Sequence, residues 1–554
     1  MSTAVSEPQT AEPEHDPSVP DVALLEDKMP EWFRTPSCTI GFALMVGAIY
    51  WYFAFLPIWH TDVWGHLSYG RYIWEAKSLP VTEPLMPLSK GIPFVDTAWL
   101  SQVIGFGAHG LAGRAALKFL YGACIAVATG LLTRRMFERT RSSLLAASGT
   151  ALFLVVEYQQ IMIMRPQVAG ILLFSGLLFL LSQRKLSKNA IYIVPVIFAL
   201  WANLHGSFLV GIGLLGAYTV GRAIDVLRRT GKFSVLWGDS RLRQYFVLTE
   251  LAAAAVLLNP YGLSIYSAVL SASSNPNMES IVEWMPLTLR HSQGKATAIS
   301  ALMLMFLYRV SPRRLSSAEV ISVVGLGLAS MWSSRFVTWF APVIALHTVI
   351  HAGAALRHWR RAGFDYEPAP RTSFNTVLSV LIGFTLISLS PIGLQTMPLI
   401  FAGFKVSPKN DDKSTSVVAK SKTASSKGAE RLANTVSSQT PVEVTKWLVK
   451  NPPKGQVFNT YEWGDYMLWA GPKDMKVFVA SHAQFVSAEI WDDYVSIADR
   501  GASWETQFDR YGVTTVILER NSQGPLTLRM IESENWKVAY RDAQATVFQR
   551  KKPL

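Results

Sequence analysis

The segment His60-Thr61-Asp62-Val63-Trp64-Gly65-His66 places one carboxylate and two imidazoles close together along the chain. On a helix, Asp62 and His66 are four apart and share one face. A carboxylate so placed can take the proton of an attacking hydroxyl, and an imidazole beside it can orient it or meet an anion. Partial desolvation at a membrane surface would make such a carboxylate a better base. The plainer use of Asp62 is to cap a helix, since aspartate is a favoured N-cap residue. His60, Asp62 and His66 could converge on a divalent metal, but the aromatic setting supplies no fourth ligand, so a metal is not supported and no cofactor is expected.

Other residues with chemical potential are dispersed. Glu279 and Glu283, beside Trp284, are spaced to share a helical face. Tyr461-Glu462-Trp463-Gly464-Asp465-Tyr466 mixes aromatics with acids, as a carbohydrate contact or a packed strand-to-helix turn would. Ser481-His482 lacks an identifiable acidic third partner, so a hydrolase triad is weakly founded.

What positions these residues is a hydrophobic chain. Of 554 residues half are hydrophobic and 16% charged, against about 25% charged in a soluble domain. A run of apolar segments begins at Thr39 to Ile58. It continues near 115 to 132, 144 to 163, 168 to 182, 190 to 204, 207 to 226, 246 to 259, 297 to 310, 318 to 333, 336 to 353 and 374 to 394. The expected fold is an α-helical polytopic membrane protein of about 11 transmembrane helices. Residues 1–36 are rich in Pro, Glu, Ser and Asp and are expected to be a disordered cytoplasmic tail. They lack the features of a cleaved signal peptide. A membrane module spans 37–400 with long outer loops at 57–113 and 259–296, the first carrying two amphipathic, interfacial helices (around Asp62 to Glu75 and Asp96 to His109) joined by a Pro-rich turn. The Lys/Ser/Thr/Ala-rich 401–438 reads as a flexible linker. Residues 439–554 alternate strand-like and helix-like runs and read as a small α/β domain.

The net charge of +13 does not imply nucleic acid. The inner loops between the apolar segments hold 20 Lys and Arg and the intervening outer segments 8, which sets the N-terminus in the cytoplasm and the C-terminal domain outside it. The expected location is a bacterial cytoplasmic (inner) membrane. Cys38 and Cys124 both lie at or in apolar segments, so no disulfide framework holds the exported part together.

The segment Asp62-x-Trp64-x-His66-Leu67-x-x-Gly70 is followed by Thr82-Glu83-Pro84, Val95-Asp96-x-x-Trp99-Leu100, Arg165-Pro166-Gln167, Asn203-Leu204-His205-Gly206, Asn259-Pro260-Tyr261-Gly262 and the Tyr461 to Tyr466 segment. In this order the chain resembles the polyprenyl-phosphate-sugar-dependent integral-membrane glycosyltransferases of the GT-C superfamily. The resemblance implies transfer of a sugar from a polyprenyl-phosphate carrier to a lipid, glycan or protein acceptor on the outer face. It makes Asp62 the general base, with His66 beside it. A departing phosphate needs positive charge, for which Arg165, Arg335 and His205 are the candidates, with Arg290 and His291 also on the outer side. Asp96, Glu283 and Trp64 are candidates for binding the acceptor or the sugar. Glu83 stands where the family more usually has aspartate and is given no role.

Each assignment has a plainer alternative. Arg165 and Arg335 could snorkel to lipid headgroups, His205 could serve a tight turn, Asp96 could cap a helix, and Glu283 could lie on a solvated face. A transporter or flippase of lipid-linked sugars, or a non-catalytic envelope assembly factor, would share the composition. A transporter would need polar groups along a whole transmembrane path, whereas the titratable residues cluster on the outer side, with Glu157 and Glu250 as exceptions.

Overall fold

The computed structural model describes residues 27–58, 62–360, 370–396, 435–500 and 503–552. His60 and residues 401–434 of the expected linker lie outside them. Each of the eleven apolar runs falls in a helix. Five helices, Cys38–Phe55, Trp99–Thr140, Ser143–Ile161, Phe208–Thr230 and Ser334–Arg360, are long and apolar enough to cross a membrane. Four more apolar helices are shorter: Gln167–Leu181, Ala190–Leu204, Ser317–Trp332 and Ser373–Ser388. The helix bundle shares one apolar core, with Val337–Arg360 its most enclosed member, buried over most of its length.

Residues 27–36, which composition places in the tail, are ordered. Glu31–Phe33 forms a 3-10 turn, and Thr35–Pro36 (β1) pairs antiparallel with Arg371–Thr372 (β2). Asn375 Nδ2 donates to the Thr35 carbonyl at 2.9 Å, so partners distant in sequence supply an order that local composition does not show. At the other end of the linker, Ser437 N–H donates to the Ile58 carbonyl at 2.9 Å and Lys118 Nζ donates to Thr435 Oγ1 at 2.8 Å.

The second amphipathic stretch and the following apolar run make one long helix, Trp99–Thr140, broken at Ala112 and Gly113. Gly113 has φ +57° and ψ −143°, a conformation open only to glycine. The break lets residues 99–111 run beside the Asp62–Ala76 helix before the chain turns into the bundle.

The C-terminal domain holds a five-stranded sheet in the order β4-β3-β5-β7-β6. Its strands are Gln456–Asn459 (β3), Lys476–Val477 (β4), Val513–Glu519 (β5), Trp536–Arg541 (β6) and Ala545–Arg550 (β7). β3 is parallel to β4 and β5, and β7 is antiparallel to β5 and β6. Strand β6 buries only Trp536 and was not among the strands expected, although Trp536, Val538 and Tyr540 fall at every second position.

The domain sits on the Asp62–Ala76 helix. A Cβ on Gly65 would fall 2.4 Å from Asp465 Oδ1, and one on Gly70 would fall 2.2 Å from the Gln102 carbonyl oxygen. The two glycines therefore let this helix approach the Gly464–Ala470 helix on one side and Trp99–Thr140 on the other. Arg71 donates to the carbonyls of Leu468 (2.9 Å) and Trp469 (3.3 Å), placing a cation at the C-terminus of Gly464–Ala470, where the helix dipole favours it. The second outer loop forms 3-10 turns at Pro276–Ser280 and Val282–Trp284, so Glu279 and Glu283 do not share a helical face. Asn277 Nδ2 ties this loop to the domain through the carbonyls of Ala483 (2.9 Å) and Val486 (2.8 Å).

Gly65→Val should therefore loosen the domain from the helix bundle, destabilising the protein by about 1–3 kcal/mol through overpacking. Faster proteolytic release of the C-terminal domain from purified protein checks this. Unchanged protease resistance would show that the close approach is dispensable.

Candidate active site

A cavity of about 1260 Å³ opens where both outer loops, the start of Ser334–Arg360 and the α/β domain meet. Asp62, His66, Asp96, Arg165, His205, Glu283 and Arg335 all line it. Trp64 does not. Its ring is fully buried, 5.3 Å from Tyr466 and stacked on Trp469 at 6.3 Å, so it packs the helix against the domain and is removed from any sugar. Arg290 and His291 are exposed and outside the lining.

Arg165 lies in the short connection between Ser143–Ile161 and Gln167–Leu181. Its Nη1 stands 2.6 Å from Glu283 Oε2 and 3.6 Å from Asp62 Oδ2, and its Nη2 donates to Gln160 Oε1 at 2.8 Å. Burial works against the charge of this guanidinium, but the carboxylates of Glu283 and Asp62 outweigh it and raise its pKa. Burial likewise pushes Glu283 up, and Arg165 and then Arg335 overcome it and hold the carboxyl below its ordinary range. Glu283 is thus an ion-pair partner and not a solvated group. The Arg335 guanidinium rests 4.6 Å above the Trp284 ring. Among the described residues no carboxylate reaches it within ion-pair distance. Asp62 occupies the first turn of its helix, where the dipole also favours a carboxylate, so the capping and catalytic uses are compatible.

The histidines around the cavity are neutral. Burial drives His66 well below its ordinary pKa, and the neighbouring His482 adds to the effect. His205 is held at about 3 by burial, then by Arg335 and Arg165, and burial holds His482 at about 4. His205 Nδ1 accepts the Ser207 N–H at 3.2 Å and lies 2.8 Å from Ser207 Oγ, which fixes the tautomer with hydrogen on Nε2. It therefore both shapes the turn and faces the cavity. His66 Nδ1 lies 3.3 Å from Gln102 Nε2, which also donates to Asp96 Oδ1 at 3.1 Å. With the amide donating both ways, His66 likewise carries its hydrogen on Nε2.

Asp96 Oδ1 accepts the Ala98 N–H at 2.9 Å, the expected local turn at the start of Trp99–Thr140. Burial nevertheless pushes its carboxyl up to about 7, against those hydrogen bonds. Glu83 accepts from Tyr69 Oη (2.9 Å) and from the N–H groups of Leu85 (2.8 Å) and Met86 (3.2 Å), so it is committed to holding the Pro-rich turn. Gln102 and the cavity-lining Tyr461 were not among the residues singled out individually. The first has a signal, an amide on the apolar side of an amphipathic stretch. Ser481 Oγ is 3.3 Å from His482 Nδ1, but His482 packs on the His66, Tyr69 and Phe485 rings, and among the described residues no carboxylate is hydrogen-bonded to it to complete a triad. Among the described residues no three His, Cys, Asp or Glu side chains are grouped to hold a metal.

The apolar wall of the cavity comes from Phe208–Thr230 (Val210, Leu214), Ser264–Ser273 (Val269) and Ser317–Trp332 (Ile321, Leu326), and extends from the arginines along these helices.

No family model matches the sequence, and no curated protein matches it. Solved structures similar to it include the oligosaccharyltransferase of Archaeoglobus fulgidus in its apo form, at 12% identity and TM-score 0.49 over 93% of this chain and 74% of that one. ArnT from Cupriavidus metallidurans bound to undecaprenyl phosphate is similar at 13% identity and TM-score 0.48 over 91% and 97%. The archaeal oligosaccharyltransferase AglB with an inhibitory peptide and a dolichol-phosphate follows at 12% identity and TM-score 0.47 over 95% and 75%.

Because the folded pKa of Asp96 lies above the ordinary carboxylate value, its contribution to stability is fully present at low pH and is lost as pH rises toward about 7. Asp96→Asn should therefore raise the unfolding temperature relative to wild type more at pH 8 than at pH 5. Thermal unfolding in detergent at both pH values measures this, and an equal effect at the two would contradict a strained ionised carboxylate.

Proposed function

We propose that this chain is a membrane glycosyltransferase that moves a sugar from a polyprenyl-phosphate carrier to an acceptor on the outer face of the membrane, with Asp62 as general base. One observation carries the reading. A single cavity joins two guanidinium groups, Arg165 and Arg335, to a carboxylate at a helix start and to an apolar wall between helices of the bundle. A phosphate on a long hydrocarbon chain needs both halves at once.

In this reading the carrier's chain lies along the apolar wall and its phosphate meets Arg335, which has no competing carboxylate within ion-pair distance, and then Arg165. Asp62 accepts the proton of the acceptor hydroxyl as its oxygen bonds to the anomeric carbon. The bond from that carbon to the carrier's phosphate oxygen breaks, and the electron pair leaves with polyprenyl phosphate. The two arginines stabilise the charge that develops there, in a pocket where water screens it poorly. A single displacement of this kind inverts the anomeric centre. The neutral Nε2–H groups of His66 and His205 add hydrogen-bond donors without adding charge.

The outer-face assignment rests on the basic residues. Arg134, Arg139, Arg228 and Arg357 fall at the ends of helices whose opposite ends approach the cavity, the side expected to stay in the cytoplasm. The α/β domain, which closes the cavity through Tyr461, Glu462 and His482, then lies outside.

Asp62→Asn should lower sugar release from a labelled polyprenyl-phosphate sugar in membranes by about 10²-fold or more, with expression and insertion unchanged. Full activity would remove Asp62 from the mechanism. Arg335→Gln should weaken binding of decaprenyl phosphate to the purified protein by about tenfold, the loss of one charge-assisted contact. Unaltered binding would place the phosphate elsewhere.

A further inference from the structure

Resting on that reading, we propose that Gly213 and Gly325 make the cavity selective for a methyl-branched prenyl chain over a straight alkyl or acyl chain. The two glycines leave notches in opposite walls of the cavity, and the notches seat the branches.

The helices Phe208–Thr230 and Ser317–Trp332 form a V. They touch toward their cytoplasmic ends, where a Cβ on Gly221 would fall 2.3 Å from the Ala318 nitrogen. Just beyond, Asp225 Oδ1 accepts from the Ser317 N–H at 3.1 Å and from Ser317 Oγ at 2.6 Å, which locks the contact. From there outward the helices part, and the cavity lies between them, reaching down to Ala217 and Ile321, one turn from the contact. Gly213 is eight residues from Gly221 and Gly325 seven from Ala318. At 1.5 Å per residue both stand roughly 10–12 Å from the contact, on opposite walls at one level.

Glycines in membrane helices commonly serve close helix packing, and Gly221 does. Gly213 and Gly325 do not, because a Cβ on either would meet nothing within 4 Å, and both line the cavity. Each leaves open space where another residue would put a side chain.

The occupant follows from what the slot joins. Its outer end reaches Arg335 and Arg165, so a phosphate held there continues into it as a chain. Ser322 spends its hydroxyl on the Ala318 carbonyl at 2.8 Å, so the walls at this depth offer apolar contact. A prenyl chain carries a methyl at regular intervals, whereas an acyl chain of equal length is smooth. A methyl in a notch gains dispersion contacts that a smooth chain forfeits to a void. The notches lie roughly 8–10 Å below the outer ends of the two helices, about two isoprene units down, so the selection is made near the phosphate and is blind to the carrier's total length.

The test measures binding of farnesyl phosphate and dodecyl phosphate, whose main chains are equally long, to the full chain in nanodiscs. Wild type should bind farnesyl phosphate more tightly. Gly213→Val and Gly325→Val each fill one notch with a side chain that enters open space. Each should weaken farnesyl phosphate by about fourfold, the worth of one buried methyl, and leave dodecyl phosphate no weaker. Two independent positions keep the test decisive if one variant does not fold. Gly216→Val, equally open but outside the cavity lining, should alter neither. Wild type without a preference, equal losses for both chains, no loss in either notch variant, or the same selective loss in Gly216→Val would each overturn the proposal. Arg335→Gln tests the underlying reading separately. If it weakens both phosphates alike, the phosphate site stands whatever the branches show; if it alters neither, the phosphate lies elsewhere and the slot proposal falls with it.

Discussion

The Arg165 guanidinium has to be compensated where it stands, and the arrangement of both outer loops follows from that need. An unpaired cation at this depth would lose several kcal/mol of hydration. Its partners come from three places: Asp62 in the first loop, Glu283 in the second, and Gln160 at the end of a helix in the bundle. Meeting them fixes the distance between two loops that share no stretch of sequence. Arg335 rests beside the Trp284 ring, and among the described residues no carboxylate reaches it within ion-pair distance.

Charge neutrality elsewhere in the cavity is achieved by burial. Three imidazoles face or adjoin the arginines, and if protonated they would repel them. Desolvation keeps each ring neutral, and the tautomers of His205 and His66 are set by Ser207 and Gln102. Burial pushes the Asp96 carboxyl up to about 7 and raises its neighbour Glu83 as well.

Much of this was legible in sequence wherever the signal was local. Apolar runs marked the helices because burial in a bundle needs continuous hydrophobic faces. Asp62 and His66 could be picked out by their four-residue spacing, and Arg165, His205 and Arg335 because few basic residues fall on the outer side of the apolar runs. Contacts between distant segments could not be read. Trp64 was a candidate for binding the acceptor or the sugar, yet its ring is buried against Tyr466 and Trp469, which lie about 400 positions away. Glu283 looked solvated until its partner Arg165 was known. Residues 27–36 looked disordered because the strand that orders them lies beyond residue 370.

The seating of the C-terminal domain on the Asp62–Ala76 helix has a consequence for biosynthesis. Arg71 and the Trp469 carbonyl it binds are 398 positions apart, so the helix that bears the carboxylate leaves the ribosome long before the surface that covers it. Throughout that interval the Gly65 face and the arginine pair lack their roof. The chain can be inserted in the membrane with its reactive groups present but not yet enclosed, and closure of so distant a contact is slow. Enclosure of the cavity therefore arrives last, with the final fifth of the polypeptide.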